Sequence, residues 1–310
     1  MLILVTGSAG FIGSNLCHLL QEKELNFVHL DGLFPEANLQ NLVGIKKPLI
    51  RCDLSIEREI KSVFDTYPIT HIIHLAANSH VDRSILEDAP FWQSNVLGTS
   101  NLFRVASRSG KVVKCINQIT DEYYGEIPLG KSSAREKDSP NPTSPYPCSK
   151  VAQYFVGRSF YTTYKFPVIS TFPVNAFGPR QNVEKLIPKF ITKLLRGEKV
   201  PLMKSSHFQR DWISVRDLNR ALLFLLKEGV AGEDYNIGAD QHHTNLQITQ
   251  KLLNFIGKDE SSIEIVPDRL SHDCRYAVDS SKIRNLGFSL NSNFDDFLQQ
   301  TIRWYRECLN

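Results

Sequence analysis

No CxxC pair occurs among the six cysteines, at positions 17, 52, 115, 148, 274 and 308. Without paired spacings neither a zinc cage nor a disulfide framework is expected, and several of these residues lie in apolar segments. That usage fits reduced thiols in a cytoplasmic protein. No apolar run approaches the ~18 residues of a membrane-spanning helix. The first strand pattern begins at residue 2, so no secretory leader is expected before it. Charge of one sign is scarce as well: 36 Lys and Arg against 33 Asp and Glu leave a net +3 over 310 residues. That excess is too slight to imply nucleic acid or a membrane surface as partner. Neither internal repeats nor low-complexity tracts occur. The adjacent pair His242 and His243 has no further ligand residue at metal-site spacing. No metal is expected, and both read as exposed loop residues.

What is present is an alternation of short apolar runs with helical patterns. Apolar runs occur at 2–6, 27–31, 71–77, 112–118 and 166–172, and helical patterns near 11–23, 55–66, 88–109 and 145–164. Runs apolar on both faces and separated by helices indicate a parallel sheet covered on both sides. Right-handed crossovers then give a doubly wound α/β domain of the Rossmann type. The second half changes character. Amphipathic helices are predicted over 184–196, 215–229 and the closing stretch NFDDFLQQTIRWYREC, and surface loops over 127–145 and 266–275. The expected organisation is a nucleotide-binding domain over 1–174, also receiving part of 206–238. A smaller mixed α/β substrate lobe follows over 175–310.

The first strand runs into TGSAGFIGSNL, in which Gly7, Gly10 and Gly13 form GxxGxxG, with Phe11 and Ile12 opening the helix. Glycines let backbone N–H groups approach a pyrophosphate, and the helix adds its positive N-terminus. A lone glycine pattern is weak evidence. Here Asp31 also ends the next strand, placed to bond an adenosine ribose hydroxyl and to repel a 2′-phosphate, which favours NAD over NADP. Asp53, in RCDL, lies where a third strand would end and could meet the adenine.

Two further groups carry chemistry. Tyr146 and Lys150 in TSPYPCSK are four apart and share a face if the segment is helical. An ammonium near a phenol lowers the phenol pKa and makes it a usable base. Thr120, Asp121 and Glu122 stand side by side after the apolar run 112–118. Two adjacent carboxylates at the end of a buried strand are costly, because burial and mutual repulsion both disfavour the charged forms. A solvated turn is the ordinary explanation of such a pair.

Together these marks resemble the extended short-chain dehydrogenase/reductase family, and within it the nucleotide-sugar 4,6-dehydratases, most of all those acting on dTDP-glucose. The resemblance runs through HLAANSHVDRSI (74–85), NVLGT (95–99), TDEYYG (120–125), PYPCSK (145–150), NAFGP (175–179), EKLIP (184–188), RDWISVRD (210–217), YNIG (235–238) and HDCRYAVD (272–279). It implies that Tyr146 takes the proton of the sugar 4-OH, with Thr120 orienting that hydroxyl and Lys150 assisting. Glu122 then removes the C5 proton while Asp121, protonated, donates to the departing 6-OH. It also implies NAD contacts at Leu54, Ala76, Ala77 and Asn95. Sugar or diphosphate contacts are implied at Ser79 and Asn175, nucleotide contacts at Lys185 and Leu186, and a diphosphate clamp at Arg210 and Arg275. A homodimer is implied through the helices near 88–109 and 145–164. The first carries Phe91, Val96, Leu102, Phe103 and Val105, the second Val151, Tyr154, Phe155 and Phe160, and all could equally face their own sheet. Departures occur at Asn78, Ile119, Tyr124 and Pro147-Cys148 and in a short 32–50 segment, and they bear on sugar and base specificity. The competing readings are a UDP-sugar 4,6-dehydratase, a nucleotide-sugar 4-epimerase, and a non-catalytic NAD-binding scaffold.

Overall fold

Residues apolar on both faces build the central layer. Strands β1 (Ile3–Thr6), β2 (Phe27–Asp31), β3 (Leu49–Arg51), β4 (His71–His74), β5 (Lys114–Gln118) and β6 (Val168–Pro173) lie parallel. Both β1 and β6 are buried at every position. A late segment, β10 (Asp234–Ile237), adds itself beside β6, so the computed structural model has a seven-stranded sheet of order β10-β6-β5-β4-β1-β2-β3. Stepping outward from β1 in both directions is the doubly wound arrangement. The structure describes residues 1–268 and 275–309. Cys274 and most of the loop expected at 266–275 lie outside the described residues.

Side-chain alternation sends the two faces of β1 into different cores. Ile3 and Val5 join Leu16 and Leu20 of α1 (Phe11–Glu22) and Leu222 of α8 (Val215–Glu228). Leu4 joins Ile60 of α2 (Glu57–Thr66) and Leu102 and Phe103 of α5 (Thr99–Ser109) on the opposite face. Helix α3 (Val81–Leu86) and the long helix α6 (Pro145–Tyr164) pack beside this second layer. The helix expected over 88–109 is interrupted: α4 (Ala89–Phe91) widens into a π turn over Trp92–Gly98 before α5 begins.

The smaller sheets combine strands of three to six residues. β7 (Asn175–Phe177), β9 (Gln209–Ser214) and β11 (His242–Thr244) form one sheet, and β8 (Val200–Met203) pairs with β12 (Ile263–Val266). Around them α7 (Leu186–Leu195), α9 (Asn245–Ile256) and α11 (Phe294–Leu309) close a third core containing Phe177, Ile191, Leu252 and Leu298. A short α10 (Ser281–Asn285) lies against β10. One expectation is corrected here. His242 and His243 are not exposed loop residues: they are half-buried in β11, paired with Asp211 and Arg210, and His243 stacks on Phe294 at 4.4 Å. Backbone pairing to β9 holds them, and among the described residues no His/Cys/Asp/Glu group could hold a metal.

Phe103 is fully buried and meets Phe160 and Phe166 at ring separations of 5.9 and 5.4 Å. Phe103→Ala should lower unfolding free energy by ~3–5 kcal/mol, read as an earlier midpoint in urea. An unchanged midpoint would mean this layer does not support the sheet.

Candidate active site

A cleft of about 970 Å³ opens along the C-terminal ends of the central strands, where open α/β sheets bind ligands. Its floor is the loop between β1 and α1. Gly7 has φ +69°, and a Cβ there would stand 2.7 Å from the Ala76 backbone. A Cβ on Gly13 would stand 2.1 Å from the Gly7 carbonyl oxygen. Only glycine permits this approach, which sets the first turn of α1 against the cleft. Gly10, Phe11, Ile12 and Gly13 all line it, and the first N–H groups of a helix have no partner within the helix. The cradle therefore fits an anion such as a pyrophosphate.

Asp31 ends β2 at the same cleft. Its two carboxylate oxygens accept from Ala9 N–H (2.9 Å) and Leu33 N–H (2.7 Å), which fixes the group yet leaves lone pairs for a ribose hydroxyl. Burial raises its pKa, and those two N–H groups work against the rise. Asp53, Leu54, Ala76 and Ala77 also line the cleft. The residues present fit a dinucleotide along this wall.

The acid–base group stands at the end of β5. Thr120 caps a single 3-10 turn over Asp121–Tyr124, and Glu122 N–H donates to its hydroxyl at 3.3 Å. Asp121 is buried, and its Oδ2 has no hydrogen-bond partner among the described residues. Burial, then the Glu122 charge, pushes the Asp121 carboxyl up to about 8, with Arg210 pulling the other way. Asp121 therefore carries a proton at neutral pH, whereas Glu122 is half-buried beside it. Tyr146 shares a hydrogen bond with Thr120, which joins the tyrosine to the turn.

Tyr146 and Lys150 face the cleft from the first turns of α6. Their electrostatics differ from the expectation. Burial, then the Glu122 charge, pushes the Tyr146 phenol above its usual range, with Thr120 the group that pulls it down. Lys150 donates instead to Gln118 O (2.7 Å) and Gln153 Oε1 (2.5 Å), and burial lowers it to about 7. In the free protein Tyr146 holds its proton. The reasons are its burial and the nearby Glu122 charge, while the Lys150 ammonium is engaged by the Gln118 carbonyl and the Gln153 amide.

Other predicted residues separate into cleft and support. Ser79 and Lys185 line the cleft, and Lys185 Nζ donates to Ser79 O at 3.2 Å. Asn95 does not reach it: fully buried, it bonds Asn78 N, Asn78 O and Ser149 Oγ at 2.8–3.0 Å and so braces the 76–80 loop. Asn175 and Leu186, in β7 and at the start of α7, are not among the cleft-lining residues. Arg210 lies over the Tyr276 ring at 4.6 Å, and its charge reaches Asp121. Arg275 donates to Lys131 O at 2.9 Å. Glu36 escaped sequence reasoning, having no motif around it. It accepts from the Ser79 hydroxyl at 3.0 Å and its charge bears on Tyr146. Arg180, with φ +69° and beside Trp304, is a second cleft residue without a sequence signal.

A dinucleotide cradle joined to a Tyr/Lys helix on a doubly wound sheet defines the class, and the chain belongs to the NAD dependent epimerase/dehydratase family, whose model matches residues 3–238. Within that family it is 40% identical over 306 residues to the low-salt glycan biosynthesis protein Agl12 of Haloferax volcanii, covering 98% of each chain. It is 37% identical to a dTDP-glucose 4,6-dehydratase of Streptomyces niveus, covering 99% of this chain and 93% of that one. The solved structure of DesIV, a dTDP-glucose 4,6-dehydratase from Streptomyces venezuelae with NAD bound, superposes with a TM-score of 0.94 at 37% identity, covering 99% and 97% of the two chains.

Because folding raises the Asp121 carboxyl from 3.8 to about 8, its contribution to stability is complete below the ordinary carboxylate range. It is lost as pH climbs through about 8. Asp121→Asn has no proton to lose, so its melting temperature relative to the parent should rise steadily from acid to mildly alkaline pH. Melting curves that stay parallel at every pH would show an ordinary ionised carboxylate at this position.

Proposed function

We propose that this protein is an NAD-dependent nucleotide-sugar 4,6-dehydratase that converts dTDP-glucose to its 4-keto-6-deoxy product. The observation that carries the reading is the Asp121–Glu122 pair, in which burial and like charge keep one carboxyl protonated beside a more exposed neighbour. Two carboxyls pushed apart in this way supply one acid and one base. An epimerase needs the tyrosine and lysine but has no use for such a pair, and a silent scaffold would need none of the four groups.

In this reading each residue has a role. Thr120, bonded to Tyr146, orients the sugar 4-OH so that the phenol oxygen receives its proton. Bound NAD+ supplies the hydride acceptor for C4 and a cationic ring that favours the phenolate. Lys150, held at about 7 by burial, stands one helical turn from Tyr146 and in its protonated form favours the phenolate by its charge. Once C4 is a ketone the C5 proton is acidic, and Glu122 removes it while Asp121 protonates the leaving 6-OH; return of the C4 hydride to C6 and of the proton from Glu122 to C5 would then give the 4-keto-6-deoxy sugar and restore the oxidised cofactor. Arg210 and Arg275 clamp the diphosphate, since guanidinium forks match phosphate oxygens. Residues 1–174, with the part of 206–238 that supplies α8 and β10, serve the cofactor; the remainder serves the nucleotide sugar.

Tyr146→Phe should abolish both reduced cofactor and product. Glu122→Gln should still oxidise C4, so reduced cofactor accumulates by near-ultraviolet absorbance while the dehydrated sugar lags by ~10²–10⁴-fold. Dehydration at the native rate by Glu122→Gln would reduce the pair to a solvated turn. A panel of dTDP-, UDP- and GDP-sugars, read by loss of one water in product mass, tests the base.

We also propose a homodimer, of whose expected apolar residues Phe155 faces outward while most are turned inward. Phe91, Leu102, Phe103, Val105, Tyr154 and Phe160 are buried in the chain's own core, where they fill the layer beneath the sheet. The outward side of the same region presents Trp92, Leu97 and, at 52% exposure, Phe155. Light scattering at micromolar concentration should give twice the chain mass, and Phe155→Glu should give the single mass. A single mass for the parent protein would overturn the proposal.

A further inference from the structure

Behind the Asp121–Glu122 turn stands a group whose chemistry the reaction does not consume. Tyr124, the last residue of that turn, is not among the cleft-lining residues and is buried against Tyr123 and Phe172. Its hydroxyl donates to Asn236 Oδ1 at 2.8 Å. Asn236 is fully buried in β10, and its amide donates to Ala134 O (2.9 Å) and Asp279 O (3.2 Å). One asparagine thus ties the acid–base turn and the 126–141 loop that directly follows it to the strap after Arg275, which is distant in sequence.

The loop and the strap are themselves stitched together. Ile127 N–H donates to Arg275 O at 3.0 Å, Ala134 N–H to Ala277 O at 2.9 Å, and Asp279 N–H to Ala134 O at 2.8 Å. Arg275 bonds Lys131 O, and its backbone bridges Gln209 next to Arg210, whose guanidinium covers Tyr276 of the same strap. The proposed diphosphate clamp and the acid–base turn therefore meet at a single fully satisfied amide.

We infer that Tyr124 and Asn236 are positioning residues that hold the Asp121–Glu122 turn in register with the strap carrying Arg275, so that elimination, but not C4 oxidation, depends on the Tyr124–Asn236 hydrogen bond. The inference rests on the dehydratase reading. Oxidation uses Tyr146 and Lys150, which are anchored on α6 through Ser84 Oγ, Gln118 O and Gln153; Tyr146 also bonds Thr120, which precedes the turn, but neither residue touches Asn236. The elimination pair sits on a four-residue turn, held by Asn141 N–H to Tyr123 O (2.9 Å), by the packing of Tyr123 and Tyr124 on Phe172 and by the Tyr124–Asn236 bond. Of these, the Tyr124–Asn236 bond is the side-chain link from the turn to β10, and removing the Tyr124 hydroxyl leaves a buried carbonyl oxygen without that partner, so the turn shifts within its packing. A small misplacement of an acid or a base is enough to slow a proton transfer severely.

Tyr124→Phe keeps the ring and its packing and deletes only the hydroxyl. With dTDP-glucose, its C4 oxidation should stay within about threefold of the parent while water elimination falls at least tenfold, so reduced cofactor accumulates before product. Its affinity for dTDP alone, by calorimetry, should be unchanged, because the bonds of Arg275 do not pass through Tyr124. Asn236→Ala cuts both connections and should lose elimination and dTDP affinity together. Three outcomes overturn the inference for a parent enzyme that dehydrates: both half-reactions of Tyr124→Phe fall in parallel, neither falls, or dTDP affinity falls with the hydroxyl. A parent enzyme inert toward dTDP-glucose overturns the functional reading and this inference with it.

Discussion

A Cβ on Gly13 would stand 2.1 Å from the carbonyl oxygen of Gly7, and that backbone approach is the constraint on which the rest depends. It locks the start of α1 to the end of β1, so the helix points its N-terminus at the cleft. From α1 the constraint spreads to both halves of the chain. Asn15 donates to Pro179 O at 2.9 Å, and Asn219 of α8 donates to Ile12 O at 3.2 Å. The segment after β7 and the helix that precedes β10 are thereby referenced to the same turn. A side chain on Gly13 would move the phosphate cradle, the floor of the cleft and the entry to the smaller sheets together.

On that frame the electrostatics are arranged by burial more than by pairing. Desolvation is the largest influence on Asp121, Tyr146 and Lys150 alike. It drives each toward its neutral form, protonated for the acid and the phenol and deprotonated for the amine. Folding stability is drawn down by this, since a buried group with an unmatched oxygen costs free energy. The aromatic packing of Tyr123, Tyr124, Tyr154 and Phe172 behind the turn offsets the loss, with ring separations between 4.9 and 5.6 Å. The same cluster that pays this cost also sets where the carboxyls point.

The central sheet was legible because its strands are apolar on both faces and its helices long and periodic. The glycine loop, Asp31 and the Tyr146–Lys150 pair were legible because their spacing is local. The segments that escaped are those whose structure is decided from outside. His242 and His243 form a strand only because β9 lies beside them. The helix over 88–109 widens to a π turn around Asn95, which is occupied by the distant Asn78 and Ser149. Glu36 reaches Ser79 across 43 positions of sequence, and no motif records it.

By itself the sequence determined which residues could do chemistry, since a tyrosine and a lysine one helical turn apart or two adjacent carboxyls are fixed by the covalent chain. Tertiary structure alone decided their protonation, because desolvation depends on what packs over a group and not on its neighbours in sequence. It kept Asp121 protonated, turned Lys150 toward Gln118 and Gln153 instead of the phenol, and sent most of the apolar residues of α5 and α6 into the chain's own core. It also brought Asn236 of β10 beneath a turn 112 residues earlier. Such a meeting depends on the order of strands in the sheet, a property that no local pattern of residues carries.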